Sequence, residues 1–368
     1  MGKRNSSVEK MGLDKRFWKN KRVLLTGHTG FKGSWLSLWL QEMNADIVGF
    51  SNGIPTKPSM YEIAKIKNGM TSLKGNVCNY NQVLTVVKKY KPEIIFHMAA
   101  QSLVRESYTH PLETYATNMM GTANVLEAIR MSDSIKVGII VTSDKCYKIV
   151  GKKALTEEDP IGGYDPYSSS KGCAELITSS YRNSFFNIKK QSEHNIGIAS
   201  VRAGNVIGGG DWNKDRLIPD IIKGIINKKP IKIRNPDSIR PWQHVLDPLY
   251  GYMMLAEKLW KSGSKFSEAW NFGPDVNESK TVKWIVKKII EKWPEKICWI
   301  KENNMNKHEE EFLKLNCTKA KTKLGWIPKL NTNESLEWVV EWYKNYEEKK
   351  DMREITEQQI KRFQKMVK

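Results

Sequence analysis

Residues 22–33 read Arg22-Val23-Leu24-Leu25-Thr26-Gly27-His28-Thr29-Gly30-Phe31-Lys32-Gly33. The mainly apolar run over 22–26 predicts a buried strand, and helical spacing over 33–42 predicts a helix directly after the glycines. Glycines three residues apart allow a tight turn, close approach of the backbone to a pyrophosphate, and close helix packing. Strand, glycines and helix in this order favour a dinucleotide site over an ordinary glycine-rich turn. We expect contacts from Gly27, His28, Thr29, Gly30, Phe31, Lys32 and Gly33.

The alternation of strands and helices continues along the chain. Apolar runs over residues 45–50, 93–97 and 137–141 are separated by stretches with helical spacing over 83–90 and 118–130. Nearly continuous apolar strands that alternate with helices are typical of a parallel sheet covered on both faces. We therefore predict an α/β protein with a doubly wound parallel Rossmann sheet.

The regular alternation ends beyond a strand over residues 197–201, which leads into a glycine-rich segment over 204–210. Proline and tryptophan are more frequent after it, which predicts a smaller C-terminal substrate-binding domain. We divide the chain into a disordered leader over 1–16, a dinucleotide-binding domain over 17–205, a substrate-binding domain over 206–346 with some segments returning to the first domain, and a charged helical tail over 347–368.

The net charge of +20 is unusual, and clustered lysines and arginines would indicate nucleic-acid binding. The lysines are instead scattered along the chain, so we expect no nucleic-acid partner and infer attraction of an anionic small molecule. With 40% hydrophobic and 27% charged residues, the composition excludes a disordered or collagen-like chain and favours a globular enzyme.

Cysteine spacing and hydropathy exclude other classes of site. The five cysteines include no Cys-x-x-Cys pair and no zinc-ligand spacing, which predicts reduced thiols and no metal site. No apolar stretch reaches the roughly 20 residues that a membrane-spanning helix needs, and the N-terminus has no apolar signal core. We expect no membrane partner and a cytoplasmic location.

The end of the second predicted strand leaves the type of dinucleotide open. NAD sites often place a carboxylate there to bind the ribose hydroxyls, but residues 49–53 contain none. NAD and NADP therefore both remain possible cofactors. Ser51 in this segment, and Asn76 and Val77 after the third strand, are further candidates for cofactor contacts.

A reactive group of residues follows the fifth strand. Ser143 lies at the strand's carboxyl end, where doubly wound sheets bind their ligands. Tyr167 and Lys171 are four residues apart at the start of a predicted helix and share one face of it. A phenol titrates near about pH 10, and a neighbouring ammonium favours the phenolate. We predict that Tyr167 removes a hydroxyl proton as hydride leaves the same carbon, while Ser143 holds the oxygen.

Several motifs occur together in one order. They are Gly27-x-x-Gly30-x-x-Gly33, His97-Met98-Ala99-Ala100-Gln101, Asn118-x-x-Gly121-Thr122, Tyr167-x-x-x-Lys171 and Arg202-Ala203-Gly204-Asn205-Val206. The set resembles that of the extended short-chain dehydrogenases/reductases that modify nucleotide sugars, over residues 17–346. The resemblance implies a homodimer or dimer of dimers through helices near 117–131 and 168–183. It also implies cofactor contacts by Ala99, Ala100, Gln101, Asn118, Tyr167 and Lys171.

Within that family, the motif sequences most resemble those of the CDP-glucose 4,6-dehydratases. The motifs that carry this resemblance include Thr142-Ser143-Asp144-Lys145-Cys146-Tyr147 and Asn205-Val206-Ile207-Gly208-Gly209-Gly210-Asp211-Trp212. The resemblance implies conversion of CDP-glucose to a 4-keto-6-deoxy sugar with NAD, as a step in deoxysugar and surface polysaccharide synthesis. Asp144 would protonate the departing 6-hydroxyl. Lys145, which stands where the dTDP-sugar branch has Glu, would be the base only if its surroundings lower its pKa.

The substrate residues and the alternatives also follow from the resemblance. The candidates for substrate binding are Ser102, Arg105, Asn205, Arg216, Leu217, Arg240 and His244. An arginine guanidinium group can donate two parallel hydrogen bonds to phosphate oxygens. A nucleotide-sugar 4-epimerase would use the same Tyr167 and Lys171, but it has no need for an acid and a base after Ser143. A GDP- or dTDP-linked sugar, or a non-catalytic dinucleotide-binding regulator, also remains open.

Overall fold

The strand that begins at Arg22 lies inside a seven-stranded parallel sheet of order β11-β6-β5-β4-β1-β2-β3. The computed structural model describes residues 12–293, 297–302 and 312–367. The seven strands are β1 Arg22–Thr26, β2 Asp46–Ser51, β3 Thr71–Lys74, β4 Ile94–His97, β5 Val137–Val141, β6 Gly197–Ala203 and β11 Ala269–Phe272. Shorter strands, paired outside this sheet, are β7 Val206–Ile207, β8 Ile231–Ile233, β9 Ile239–Arg240, β10 Gln243–His244, β12 Lys280–Thr281 and β13 Trp299–Lys301.

Helices cover both faces of the sheet. They are α1 Lys15–Trp18, α2 Phe31–Glu42, α3 Met60–Ile63, α4 Tyr80–Tyr90, α5 Val104–Thr109, α6 Pro111–Tyr115, α7 Gly121–Arg130, α8 Pro166–Ser184, α9 Gln191–His194, α10 Leu217–Ile226, α11 Leu246–Phe266, α12 Val282–Glu291, α13 Thr332–Glu347 and α14 Met352–Met366. A π-helical turn, Ala116–Met120, joins α6 to α7, and a 3-10 turn, Asp144–Cys146, follows β5. No helix among the described residues is long and apolar enough to cross a membrane.

Alternate residues of the central strands enter two different cores. Val23 and Leu25 of β1 face a large core that also contains Trp35 and Trp39 of α2. Leu24 faces a smaller core on the other side of the sheet, together with residues of α4 and α7. Because successive side chains of a strand point to opposite faces, apolar residues in succession are what a sheet buried on both faces requires. The predicted doubly wound sheet is confirmed.

Helices near both ends of the described residues are packed against the rest of the protein. Within the predicted leader, residues 1–11 lie outside the described part, while α1 begins at Lys15 and is capped by the Asp14 side chain. The predicted tail contains α14, whose Phe363 contacts Trp39 of α2 with ring centres 5.6 Å apart. Phe363 is fully buried, so α14 is a packed helix rather than a solvated extension.

Candidate active site

The glycine turn between β1 and α2 brings the backbone unusually close to β4. Gly27 has φ +76°, and a Cβ placed there would lie 2.7 Å from the Ala99 nitrogen. A Cβ on Gly33 would lie 2.1 Å from the Gly27 carbonyl oxygen, so any larger residue would separate the helix from the turn. The N-terminus of α2 therefore faces the cleft, where its free N–H groups favour a phosphate. This cradle fits the pyrophosphate of a dinucleotide.

The cleft encloses about 1050 Å³ at the carboxyl ends of the central strands. Nearly all the predicted site residues line it: Gly27, Thr29, Gly30, Phe31, Lys32, Gly33, Ser51, Asn76, Val77, Ala99, Ala100, Gln101, Ser102, Arg105, Ser143, Asp144, Lys145, Tyr167, Lys171, Asn205, Arg216, Leu217 and Arg240. Residues from both predicted domains therefore meet in one site.

Three predicted contact residues, His28, His244 and Asn118, are not among the residues that line the cleft. The His28 ring turns beneath the loop, where its nitrogens lie 2.8 Å from Ser51 Oγ and 2.7 Å from Ser72 Oγ. Burial lowers the pKa of His28 to about 4, so this packed ring is neutral. His244 is fully buried, 5.8 Å from the Trp35 ring, and is a core residue rather than a substrate contact. Hydrogen bonds to two serines occupy the His28 ring, and aromatic packing surrounds the His244 ring.

Asn118, the third of these residues, is buried next to the cleft and connects two segments that line it. Its Nδ2 donates to the Gln101 carbonyl and to Ser170 Oγ, both at 2.9 Å. Its Oδ1 accepts the Gln101 N–H at 2.9 Å. Asn118 is 1% exposed, so it joins the turn after β4 to α8 instead of lining the cleft.

Ser143, Asp144 and Tyr167 form the reactive centre. Ser143 Oγ donates to Asp144 Oδ1 at 3.0 Å, and the Ser143 side chain acts to lower the pKa of Tyr167. Asp165 caps α8 through the Ser168 N–H, so the helix begins at Pro166. This start places Tyr167 in the first turn of α8, where it lines the cleft.

Burial dominates the electrostatics of Tyr167. It raises the pKa of Tyr167 to about 12, against the opposing effects of Ser143 and Arg216. Burial lowers the pKa of Lys171 to about 8, and Lys171 Nζ donates to the Val141 carbonyl at 3.3 Å. The predicted lowering of the Tyr167 pKa by Lys171 is therefore not seen in the protein alone, because the phenol is desolvated and the ammonium is engaged by β5.

Asp144 has the surroundings of a general acid. It is 3% exposed, and burial raises its pKa against the opposing charges of Lys145, Arg240 and Lys32. Its Oδ2 has no hydrogen-bond partner among the described residues. A carboxyl group whose pKa is raised by burial is better suited to protonate a leaving hydroxyl.

Lys32 was predicted only as part of the glycine loop, but it also belongs to the reactive centre. Burial, together with the positive charges of Lys171 and Arg216, lowers its pKa to about 7. The negative charge of Asp144 acts in the opposite direction. Lys145 is only partly buried and lines the same cleft. The sequence position of Lys32 could not show that its ammonium would face an acid more than 100 residues away.

The far end of the cleft is rich in arginine. Arg216 Nη2 donates to Ser102 Oγ at 2.9 Å, which joins the two domains. Arg216 also pairs with Asp211 at 3.1 Å. Asp215, which the sequence analysis missed, lies 3.6 Å from Arg105 and 3.2 Å from Arg234. The only sequence signal for this group was the pair of aspartates that flank Arg216, at 211 and 215.

The family model described as GDP-mannose 4,6 dehydratase matches residues 24–338, which include every element of the site. The chain belongs to this family. The predicted resemblance to nucleotide-sugar-modifying enzymes is thereby confirmed.

Two curated relatives show how the likeness is distributed. The chain is 51% identical to the CDP-glucose 4,6-dehydratase of Salmonella typhimurium, covering 92% of this chain and 95% of the relative. It is 24% identical to the dTDP-glucose 4,6-dehydratase of Haemophilus influenzae, covering 87% and 97%. The likeness therefore spans both domains and is far stronger to the CDP-glucose enzyme.

Solved structures share the fold. MoeE5 in complex with UDP-glucose and NAD is 20% identical, with a TM-score of 0.75 over 88% of this chain and 99% of that one. The dTDP-glucose 4,6-dehydratase of Bacillus anthracis in complex with NAD is 24% identical, with a TM-score of 0.71 over 90% and 99%. At these identities the match concerns the architecture alone.

Proposed function

We propose that the protein removes water from CDP-glucose to form CDP-4-keto-6-deoxyglucose, with NAD bound in the glycine cradle. One observation carries the proposal. A buried acid, Asp144, adjoins Ser143, Tyr167 and Lys171 in the cleft of a chain that is 51% identical to a CDP-glucose 4,6-dehydratase. Oxidation at a sugar carbon needs Ser143, Tyr167 and Lys171. Loss of water also needs an acid, which Asp144 would supply.

The cradle between Gly27 and Gly33 and the N-terminus of α2 would hold the NAD pyrophosphate. Bound NAD supplies a group that accepts hydride from carbon 4 and returns it to carbon 6. Ser51 is already hydrogen bonded to His28, and the end of β2 carries no carboxylate, so the ribose of the cofactor would be held by weaker groups. NADP remains the alternative cofactor.

Different side chains of the protein would then carry out the separate proton transfers. Tyr167 takes the proton of the 4-hydroxyl, Ser143 donates to the oxygen at carbon 4, and the Lys171 charge stabilises the phenolate. The 4-ketone acidifies the hydrogen at carbon 5, which a base removes as Asp144 protonates the departing 6-hydroxyl. Lys145, which lines the cleft beside Asp144, is our candidate for this base.

The arginine-rich end of the cleft would bind the nucleotide diphosphate. Bidentate guanidinium groups match phosphate oxygens, and Arg216 and Arg240 both line the cleft. Ser102, Arg105, Asn205 and Leu217 complete the proposed substrate residues. The acidic partners Asp211 and Asp215 keep Arg216 and Arg105 oriented towards this space.

We also propose that the protein is a cytoplasmic homodimer, or a dimer of dimers, that acts in deoxysugar synthesis for surface polysaccharides such as O-antigen. Large apolar side chains are exposed along α6 and α8, where Leu112 is 84% and Leu176 is 61% exposed. Pairing of these helices with a second copy would bury them. Light scattering tests this, and a monomer at micromolar concentration would contradict it.

The deciding experiment incubates the protein with CDP-, dTDP-, GDP- and UDP-glucose, with and without NAD, and follows product mass. We expect loss of one water from CDP-glucose. An unchanged mass with inversion at carbon 4 would instead show an epimerase. No change with any of the four sugars would contradict the proposed substrate and leave a different nucleotide sugar or the dinucleotide-binding regulator.

A further inference from the structure

Two ionisable side chains that the proposed mechanism does not use lie buried behind the catalytic residues. Glu175 of α8 and Arg202 of β6 are each 4% exposed, and Arg202 Nη2 lies 2.8 Å from Glu175 Oε2. Desolvation of two charges costs about as much free energy as their attraction returns, so stability alone does not explain the pair. Its contacts indicate another role.

The Glu175 carboxylate holds the end of β5. Its Oε1 accepts a hydrogen bond from Thr142 Oγ, and its Oε2 accepts one from Ser200 Oγ at 2.7 Å. Thr142 immediately precedes Ser143, and its N–H donates to the Val201 carbonyl at 3.0 Å. Movement of Glu175 would therefore displace the residue that holds the oxygen at carbon 4.

The Arg202 guanidinium holds the other side of the same segment. Its Nη1 donates to Tyr147 Oη at 2.7 Å, and Tyr147 Oη donates to Asn271 Oδ1 at 2.7 Å. Tyr147 directly follows the 3-10 turn Asp144–Cys146, which carries the acid and Lys145. Glu175 and Arg202 thus secure the residues before and after the catalytic turn.

Glu175 is also connected to Lys171, one helical turn earlier on α8. The negative charge of Glu175 opposes the lowering of the Lys171 pKa by burial. The other ionisable groups that interact with Lys171 are Cys146, Lys32 and His97. Arg202 and Arg182 face Glu175 itself.

We propose that the Glu175–Arg202 ion pair is a positioning device, which rests on the proposed function. It sets Ser143 through Thr142, the turn that carries Asp144 through Tyr147, and Lys171 through α8. Neither residue lines the cleft, so each acts through the residues that do.

The test is the double variant Glu175→Met/Arg202→Met in the full chain. Apolar replacement of a buried ion pair is commonly neutral or stabilising, so we expect the melting temperature to stay within about 5 °C of wild type. Misplacement by about 1 Å costs roughly a hundredfold in rate, so we expect kcat to fall by about that factor. KM for the nucleotide sugar and affinity for NAD should change by less than about threefold.

Two further variants isolate the cause. Lys288→Met/Glu291→Met removes an ion pair of 2.8 Å on the surface of α12, and we expect kcat like that of wild type. Arg202→Lys keeps the positive charge but lacks the second arm of the guanidinium, so it should show an intermediate loss of kcat. Wild-type kcat in the Glu175→Met/Arg202→Met variant would overturn the proposal, as would a fall that only follows loss of folded protein.

A measurement without substrate keeps the proposal separate from the proposed function. Reductive methylation of Lys171 against pH, read by mass spectrometry, reports its titration in the protein alone. We expect the midpoint to be lower in the double variant, because the charge of Glu175 no longer supports the ammonium. An unchanged midpoint would overturn the link to Lys171. A wild-type protein that leaves CDP-glucose intact would contradict only the proposed function.

Discussion

The Lys32 ammonium lies 5.8 Å from the centre of the Tyr252 ring, and both side chains interact electrostatically with Asp144. The Tyr252 hydroxyl and Asp144 Oδ2 are buried and have no hydrogen-bond partner among the described residues. The glycine loop, the Asp144 carboxyl group and helix α11 therefore meet at one buried point. Burial at this point raises the pKa of Asp144 against the opposing charges of Lys145, Arg240 and Lys32.

We expect Asp144→Asn to stop the loss of water but not the oxidation at carbon 4. An amide of the same shape cannot protonate the departing hydroxyl, and loss of a general acid typically costs about 10²- to 10⁴-fold in rate. Absorbance of reduced nicotinamide should therefore accumulate on addition of CDP-glucose. Water loss at the wild-type rate would show that another group is the acid.

Tyr167→Phe should abolish ketone formation and leave NAD affinity nearly unchanged. The phenol hydroxyl is needed to take the proton, while the ring can still fill the same space. We expect kcat to fall by about 10²- to 10⁴-fold, measured against calorimetric binding of NAD. Equal losses of NAD binding and activity would mean that Tyr167 is structural.

Tyr252→Phe should increase the free energy of unfolding. It removes a buried hydroxyl that has no partner in the described part of the chain, and whose desolvation costs about 1–3 kcal/mol. Tyr343→Phe is the matched control, because its hydroxyl donates to the Asp211 carbonyl at 2.6 Å. The control should lose about 1 kcal/mol. Thermal unfolding distinguishes them, and a destabilised Tyr252→Phe would show that its hydroxyl has a partner such as bound water.

Glu257→Gln should remove a loss of stability that occurs as pH rises. Burial raises the pKa of Glu257 from 4.5 to about 7, so the unfolded chain ionises first and stability falls between about pH 4.5 and 7. One Glu257 oxygen, Oε1, accepts hydrogen bonds from both the Asp14 N–H and Trp18 Nε1. A glutamine oxygen can retain both bonds.

The glutamine variant should therefore exceed wild type by roughly 2 kcal/mol above pH 7 and match it near pH 4. Denaturant unfolding over this pH range measures the difference. A constant difference at every pH would mean that Glu257 does not titrate in the folded protein.

Local patterns predicted much of the first domain. The β1 strand, the glycine turn and α2 followed from residues adjacent in the chain, and α2 differs from its predicted start by only two residues because the helix opens at Phe31. Tyr167 and Lys171 were predicted for the same reason, since a helix places residues four apart on one face. The family model, which matches residues 24–338, supports the same prediction over most of the chain.

Long-range packing explains what the local patterns could not show. His28 and His244 stand in recognisable motifs, but buried neighbours take up their side chains. Glu175 and Arg202 are 27 positions apart, and Asp215 reaches Arg105 across 110 positions, so no local spacing indicates either contact. Sequence periodicity reports which face of an element is buried, not which residue on another element it meets.

By itself, the sequence determined the doubly wound sheet, the dinucleotide turn and the residue types of the reactive centre, because each depends on residues close together in the chain. Only the tertiary structure decided their protonation and their partners. Burial raises the pKa of Asp144 and lowers that of Lys32, and this effect exists only once α11, β6 and the glycine turn enclose them. Desolvation is a property of the assembled fold, so no stretch of sequence contains it.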